Sequence, residues 1–196
     1  MEKGYTTKRF AIFASGDGSN AENIVRYFRD NCCDAEVCLI VCNNRTAGVI
    51  GRAARLGIDV RVMSRDDIND SSRLLPLMEE HGIDVVVLAG FLLMVPEFLI
   101  NRYRGRIINI HPSLLPRFGG RGMYGRYVHE AVIASGESRT GITIHHVTEN
   151  YDEGANIFQA FVDITPGDTP ASLAAKIHKL EYEHFPAVIE REIEQL

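Results

Sequence analysis

No apolar stretch in these 196 residues approaches the ~18–20 needed to span a bilayer, so no segment reads as transmembrane. The start of the chain supplies no signal-peptide core either, because Phe10–Ala14 runs straight into glycines. A cytoplasmic address is expected. Basic residues are not in excess: Lys and Arg number 21 against 26 Asp and Glu, and the formal charge is -5. That balance argues against coating a nucleic acid, while leaving room for a local basic patch around one anionic ligand. Cysteine is confined to Cys32, Cys33, Cys38 and Cys42, with no Cys-x-x-Cys pair and no histidine at zinc-finger spacing. These read as free thiols in small core positions, with Cys38 and Cys42 on one face of a strand. Two signatures are also missing. There is no Gly-x-x-x-x-Gly-Lys-Ser/Thr phosphate loop and no Gly-x-Ser-x-Gly nucleophile elbow, which disfavours P-loop nucleotide hydrolysis and a serine hydrolase. No repeat, low-complexity tract or linker interrupts the chain.

What is present is alternation. Strand-like and helix-like segments succeed one another: strand 9–14, helix 20–31, strand 35–42, helix 47–56 stopped by Gly57, strand 60–63, helix 70–81 stopped by Gly82. The run Val85-Val86-Val87-Leu88 within 84–89 is apolar on both faces and reads as a central parallel strand. Pro96 opens a short helix to about Tyr103, and 106–111 is the next strand. This order predicts right-handed βαβ crossovers and an α/β fold: an open, mostly parallel twisted sheet with flanking helices. Beyond 112 the pattern changes. A Gly- and Pro-rich loop to Tyr124 precedes a helix over 125–135. Strands at 141–147 and 156–162 follow, joined by a link too short for a crossover helix, and so form an antiparallel pair. Thr169, with Ser172 close behind, caps a last helix toward Glu194, in which Pro186 is expected to produce a kink. The chain reads as a single domain over 1–196.

Three constellations carry chemistry. Asn109 and His111 lie two apart at a strand end closed by Pro112, so both project to one side, opposite Ile108 and Ile110. Ligands of open α/β sheets bind at that end, and an amide beside an imidazole suits a carbonyl that must become an oxyanion. Gly16, Asp17, Gly18, Ser19 and Asn20 follow the first strand and open a helix, an outline for a phosphate held by backbone N–H groups. The second strand ends Cys42-Asn43-Asn44-Arg45, without the carboxylate of a dinucleotide site, so a single phosphate of a mononucleotide-sized ligand fits better. Asp152, in the turn 148–154, is the carboxylate available to orient or charge an imidazole. His145 and His146, adjacent on a strand, point to opposite faces and cannot easily share a metal, so none is expected. His81, His129 and His184 are expected at the surface or on helices.

These residues resemble the folate-dependent formyltransferase family, within it the purine-biosynthetic branch. The resemblance rests on Ser15-Gly16-Asp17-Gly18-Ser19-Asn20, Val87-Leu88-Ala89-Gly90-Phe91, Asn109-Ile110-His111-Pro112-Ser113-Leu114-Leu115-Pro116, Gly141-Ile142-Thr143-Ile144-His145 and the turn ending at Gly154. It implies a Rossmann-like nucleotide-binding half over 9–111 and a folate and catalytic half over 112–196. It also implies formyl transfer from 10-formyltetrahydrofolate to the amine of glycinamide ribonucleotide, with Asn109, His111 and Asp152 as the catalytic trio. An oxyanion would be met by Asn109 and protonated His111. The phosphate would fall to Gly16–Asn20 and the ribose to Glu181. Leu92, Leu93, Met94, Val95, Asn109, Thr148 and Asp152 would surround the folate. The same resemblance leaves a sugar-nucleotide formyltransferase or a formyltetrahydrofolate hydrolase as alternatives. A tRNA formyltransferase would be expected to carry a further RNA-binding domain. The trio's presence disfavours a non-catalytic binding module. Three departures from the family pattern stand out: Asp17 in a phosphate loop, Leu93 where some relatives carry arginine, and the unusual segment 118–125.

Overall fold

A computed structural model describes residues 7–31 and 33–196, so the expectations for residues 1–6 and for Cys32 lie outside the described residues. The elements run β1 (Lys8–Ala14), α1 (Ser19–Asp30), β2 (Ala35–Cys42), α2 (Gly48–Leu56), β3 (Asp59–Val62), α3 (Arg65–Ile68), α4 (Ser71–Glu80) and β4 (Val85–Leu88). They continue α5 (Glu97–Arg102), β5 (Ile107–His111), α6 (Arg126–Ala134), β6 (Arg139–His146), β7 (Asn156–Asp163) and α7 (Pro170–Glu194). The described strands form one seven-stranded sheet ordered β3-β2-β1-β4-β5-β6-β7. The first five are mutually parallel, and β6 pairs antiparallel with both β5 and β7.

β4 is the middle strand, and its four residues are all buried because helices cover both faces of the sheet. Alternate residues feed two cores. Phe10, Ile12, Ile108 and Ile110 pack with Ile24, Phe28, Ile177 and Phe185 from α1 and α7. Ala11, Phe13, Val86 and Ile107 pack with Leu74, Met78, Leu99 and Tyr103 on the other face.

One expectation is corrected by a bulge. Cys38 and Cys42 do not share a face: Cys42 lies in the first core and Cys38 packs against the second. Between Phe10 and Ala11 the partner register on β2 jumps from Val37 to Leu39, so Cys38 is the extra residue and alternation resets there. The strand expected at 60–63 is shifted by one, and the short helix α3 was not expected at all. It is opened by a Ser64–Asp67 capping box and is too short to show apolar periodicity.

Helix α7 is assigned without a break through Pro186. A proline there has no N–H for the carbonyl of Tyr182, four residues back. Asn23 of α1 supplies the missing donor: its Nδ2 lies 3.0 Å from that oxygen. The proline thereby becomes a docking point between two helices.

Candidate active site

Ile108 and Ile110 are committed to the core under α1 and α7, so Asn109 and His111 turn to the opposite face at the end of β5. Across the antiparallel pair, Asn109 stands opposite His145 and His111 opposite Thr143. Asn109 Nδ2 lies 3.0 Å from His145 Nε2. Nδ1 of His145 lies 2.8 Å from the carbonyl of His146, which only accepts, so Nδ1 carries the hydrogen and Nε2 accepts from Asn109. His111 Nε2 lies 2.8 Å from the carbonyl of Phe118, which fixes that nitrogen as a donor by the same logic. The remaining ring nitrogen, Nδ1, faces the Asp152 carboxylate at 3.5 Å.

Asp152 reaches this point by a folded-back turn. β6 runs opposite to β5 and ends alongside the start of β5, with Val147 N–H donating to Ile107 O. The following turn must therefore double back to meet His111. Asp152 adopts φ 55°, a left-handed conformation uncommon outside glycine. Gly154 passes so close to β6 that a Cβ would stand 1.7 Å from the His146 carbonyl. Asp152 Oδ2 accepts from Gly120 N–H at 2.8 Å, and Oδ1 lies 3.6 Å from His145 Nε2. Asn109, His111, His145 and Asp152 thus form one cluster. His146 points the other way, toward Glu192 of α7.

The glycine loop occupies the far end of the same cleft. Gly18 is the N-cap of α1 at φ 79°, and no side chain caps the helix, so its first N–H groups remain available to an anion. Asn20 Nδ2 donates to Glu181 Oε2 at 2.9 Å, tying α1 to α7, while Asn20 Oδ1 is buried without a hydrogen-bond partner. Asp17 does point outward, with its side chain 69% exposed, but it is not free: Arg52 Nη2 lies 2.5 Å from its Oδ2.

A cleft of about 720 Å³ joins the two ends. Gly16–Asn20, Leu92–Val95, Asn109, His111, Thr148, Asp152 and Glu181 all line it, so the residues expected to serve catalysis, phosphate, ribose and folate lie along one cleft. The sequence reading missed His145, His129 and His178. His145 is signalled by its position opposite Asn109 once the β5–β6 register is known. His129 sits on a helix as expected, but it is buried, lines the cleft, and leaves Nδ1 without a partner.

Burial sets the charges. It pushes the His111 imidazole below its ordinary 6.5, against an opposite pull from Asp152. Burial thus favours the neutral form of His111. Burial drives Asp152 upward, yet its surroundings, the donated Gly120 N–H among them, hold it below its ordinary value, which favours the carboxylate. Glu181 is raised by burial, eased by the Asn20 hydrogen bond and by His178. His129 is lowered by burial, with His178 and His111 adding to the effect. Among the described residues, no group of three or more His, Cys, Asp and Glu is placed to hold a metal ion.

With this geometry in view, known proteins give a consistent picture. The profile of the family described as Formyl transferase matches residues 8–189. The chloroplastic phosphoribosylglycinamide formyltransferase of Arabidopsis thaliana is 39% identical over 95% of this chain and 67% of its own length. The phosphoribosylglycinamide formyltransferase of Bacillus subtilis (strain 168) is 35% identical over 94% of both. The crystal structure of glycinamide ribonucleotide transformylase 1 from Geobacillus kaustophilus superposes with a TM-score of 0.86 at 37% identity, covering 94% of this chain and 98% of that one.

Proposed function

The chain belongs to the formyl transferase family, and on that premise we propose that it moves the formyl group of 10-formyltetrahydrofolate to the amine of 5-phosphoribosylglycinamide. The products are formylglycinamide ribonucleotide and tetrahydrofolate, a step of purine biosynthesis. The observation that carries this reading is the shared cleft, which has Asn109, His111 and Asp152 at one end and an uncapped helix N-terminus at the other. In this reading both halves of the chain meet at the cleft: 9–111 contributes the glycine loop, Leu92–Val95, Asn109 and His111, and 112–196 contributes Asp152 and Glu181. A cytoplasmic setting goes with it, supported by free thiols at Cys33, Cys38 and Cys42.

The lining suits both ligands. Leu92 and Met94 leave about half their surface exposed (51% and 50%) beside the cleft, with Val147–Asp152 also along its wall, a place for a flat heteroaromatic ring. The folate supplies an activated formyl carbon when bound. Gly16, Gly18, Ser19 and Asn20 hold the phosphate of the ribonucleotide, and Glu181 takes the ribose hydroxyls.

The residues then divide the work. Asn109 directs its free amide hydrogen at the formyl oxygen as that atom gains charge. His111 presents Nδ1 as its basic atom, because the Phe118 carbonyl occupies Nε2–H. A proton leaving the attacking amine is received between Nδ1 and the Asp152 carboxylate, 3.5 Å apart, and passes to the departing folate nitrogen. While the proton is held there, His111 is cationic and adds its charge to the stabilisation of the oxyanion.

The direct test mixes the purified protein with 10-formyltetrahydrofolate and glycinamide ribonucleotide. Release of tetrahydrofolate that requires both substrates is expected. No release at saturating concentrations of each overturns the proposal.

A further inference from the structure

Arg52, on α2, does not line the cleft, yet it makes three contacts to the loop that would hold the phosphate and to the helix that follows. Its Nε donates to the Asp17 carbonyl at 2.9 Å and its Nη2 to Asp17 Oδ2 at 2.5 Å. Its Nη1 donates to Glu22 Oε2, in the first turn of α1, at 2.5 Å. One helical turn earlier, Val49 N–H donates to the Gly16 carbonyl at 3.2 Å. Gly18 is pressed against the same helix: a Cβ there would lie 2.5 Å from Val49 Cβ.

These contacts decide where the loop's donors point. Across a planar trans peptide, the N–H of one residue and the carbonyl of the preceding residue point in opposite directions. Val49 draws the Gly16 carbonyl toward α2, so the Asp17 N–H faces away from α2. Arg52 draws the Asp17 carbonyl toward α2, so the Gly18 N–H faces away as well. The loop's Asp17 and Gly18 N–H groups are thereby turned away from α2, a helix that contributes nothing to the cleft lining.

Charge makes the same residue necessary. Asp17 places a carboxylate in a loop meant for a phosphate, and the cleft lining already holds Glu149, Asp152 and Glu181 against a single arginine, Arg121. An unpaired Asp17 would repel the ligand. The guanidinium is planar and permanently charged, so it can grip both the Asp17 carboxylate and the Glu22 carboxylate from one position.

We propose that Arg52 is a positioning residue for the phosphate end of the substrate, orienting the Asp17–Gly18 peptide and cancelling the Asp17 charge. This deepens the phosphate site of the proposed function and rests on that reading.

The test compares wild type, Arg52→Ala and the Asp17→Asn/Arg52→Ala double variant. It measures thermal stabilisation by inorganic phosphate, the KM for each substrate, and kcat. Arg52→Ala is expected to weaken phosphate and glycinamide ribonucleotide about tenfold or more, while kcat and the KM for the folate stay within about twofold. Adding Asp17→Asn recovers roughly half of that loss on a logarithmic scale, which a merely structural arginine would not allow. If Arg52→Ala does not fold, Arg52→Met, which keeps the apolar stem but has neither charge nor donor, takes its place with the same expectations. Phosphate affinity within twofold of wild type, or no recovery in the double variant, overturns the proposal. A wild-type protein that inorganic phosphate does not stabilise also overturns it. The two readings separate cleanly: phosphate stabilisation with the expected variant pattern but no turnover defeats the assigned reaction and leaves Arg52 in its role.

Discussion

His111 Nε2 and the carbonyl oxygen of Phe118 lie 2.8 Å apart, and Phe118 reaches that position with φ at 56°, outside the usual range for a side-chain-bearing residue. The ring is thus locked with one nitrogen committed and Nδ1 turned to Asp152. Burial lowers its pKa, and the carboxylate partly restores it. A proton-NMR titration of the folded protein should therefore place His111 below 6.5, and lower again in Asp152→Asn. A midpoint that rises in Asp152→Asn would refute the arrangement.

Asn109 Nδ2 uses one hydrogen on His145 and keeps the other for the formyl oxygen. Asn109→Ala removes an oxyanion donor, and kcat should drop by about 10²–10³ with little change in either KM. Initial rates of tetrahydrofolate release measure this. A loss smaller than about tenfold would assign the oxyanion to another donor.

Asn23 stabilises the protein only because Pro186 leaves the Tyr182 carbonyl without its helical partner. Asn23→Ala should cost about 0.5–1.5 kcal/mol in urea unfolding, and clearly less in a Pro186→Ala background, where a backbone N–H returns. An equal cost in both backgrounds would show that the side chain acts elsewhere.

His111 and His129 both have folded pKa values below the ordinary 6.5, so below that pH the unfolded chain binds more protons than the native one. Their contribution to stability is complete above about 6.5 and is lost as pH falls toward the depressed folded values. Thermal midpoints should therefore decline between pH 7 and pH 5.5. The decline should be shallower in His129→Gln, which removes one of the two groups. An unchanged slope in that variant would exclude His129 as a source.

Much of the site was legible because it obeys strand periodicity. Asn109 and His111 are two apart, Pro112 ends the strand, and their apolar neighbours belong to the core. The glycine loop was legible for a similar reason, as a break between a strand and a helix. Other parts depend on register or on distant contacts. Cys38 defied alternation because a bulge is invisible in composition. His145 became a site residue only through its pairing with Asn109. Arg52 lies 35 residues from the loop it holds, and one of its contacts there is to a backbone carbonyl, so no local motif records it. His129 was obscured by its helix, since facing a core and facing a cleft leave the same periodicity.

The order β1-β4-β5 at the centre of the sheet has a metrical consequence. The glycine loop extends from the end of β1 and the Asn109–His111 pair ends β5, so exactly one strand separates them. Two inter-strand steps of about 4.8 Å set the ends of β1 and β5 roughly 10 Å apart. The loop and the reactive pair therefore grow from anchor points whose spacing is fixed by backbone hydrogen bonds and not by side chains. On the proposed reading the sheet is the frame from which the two ends of the substrate are measured.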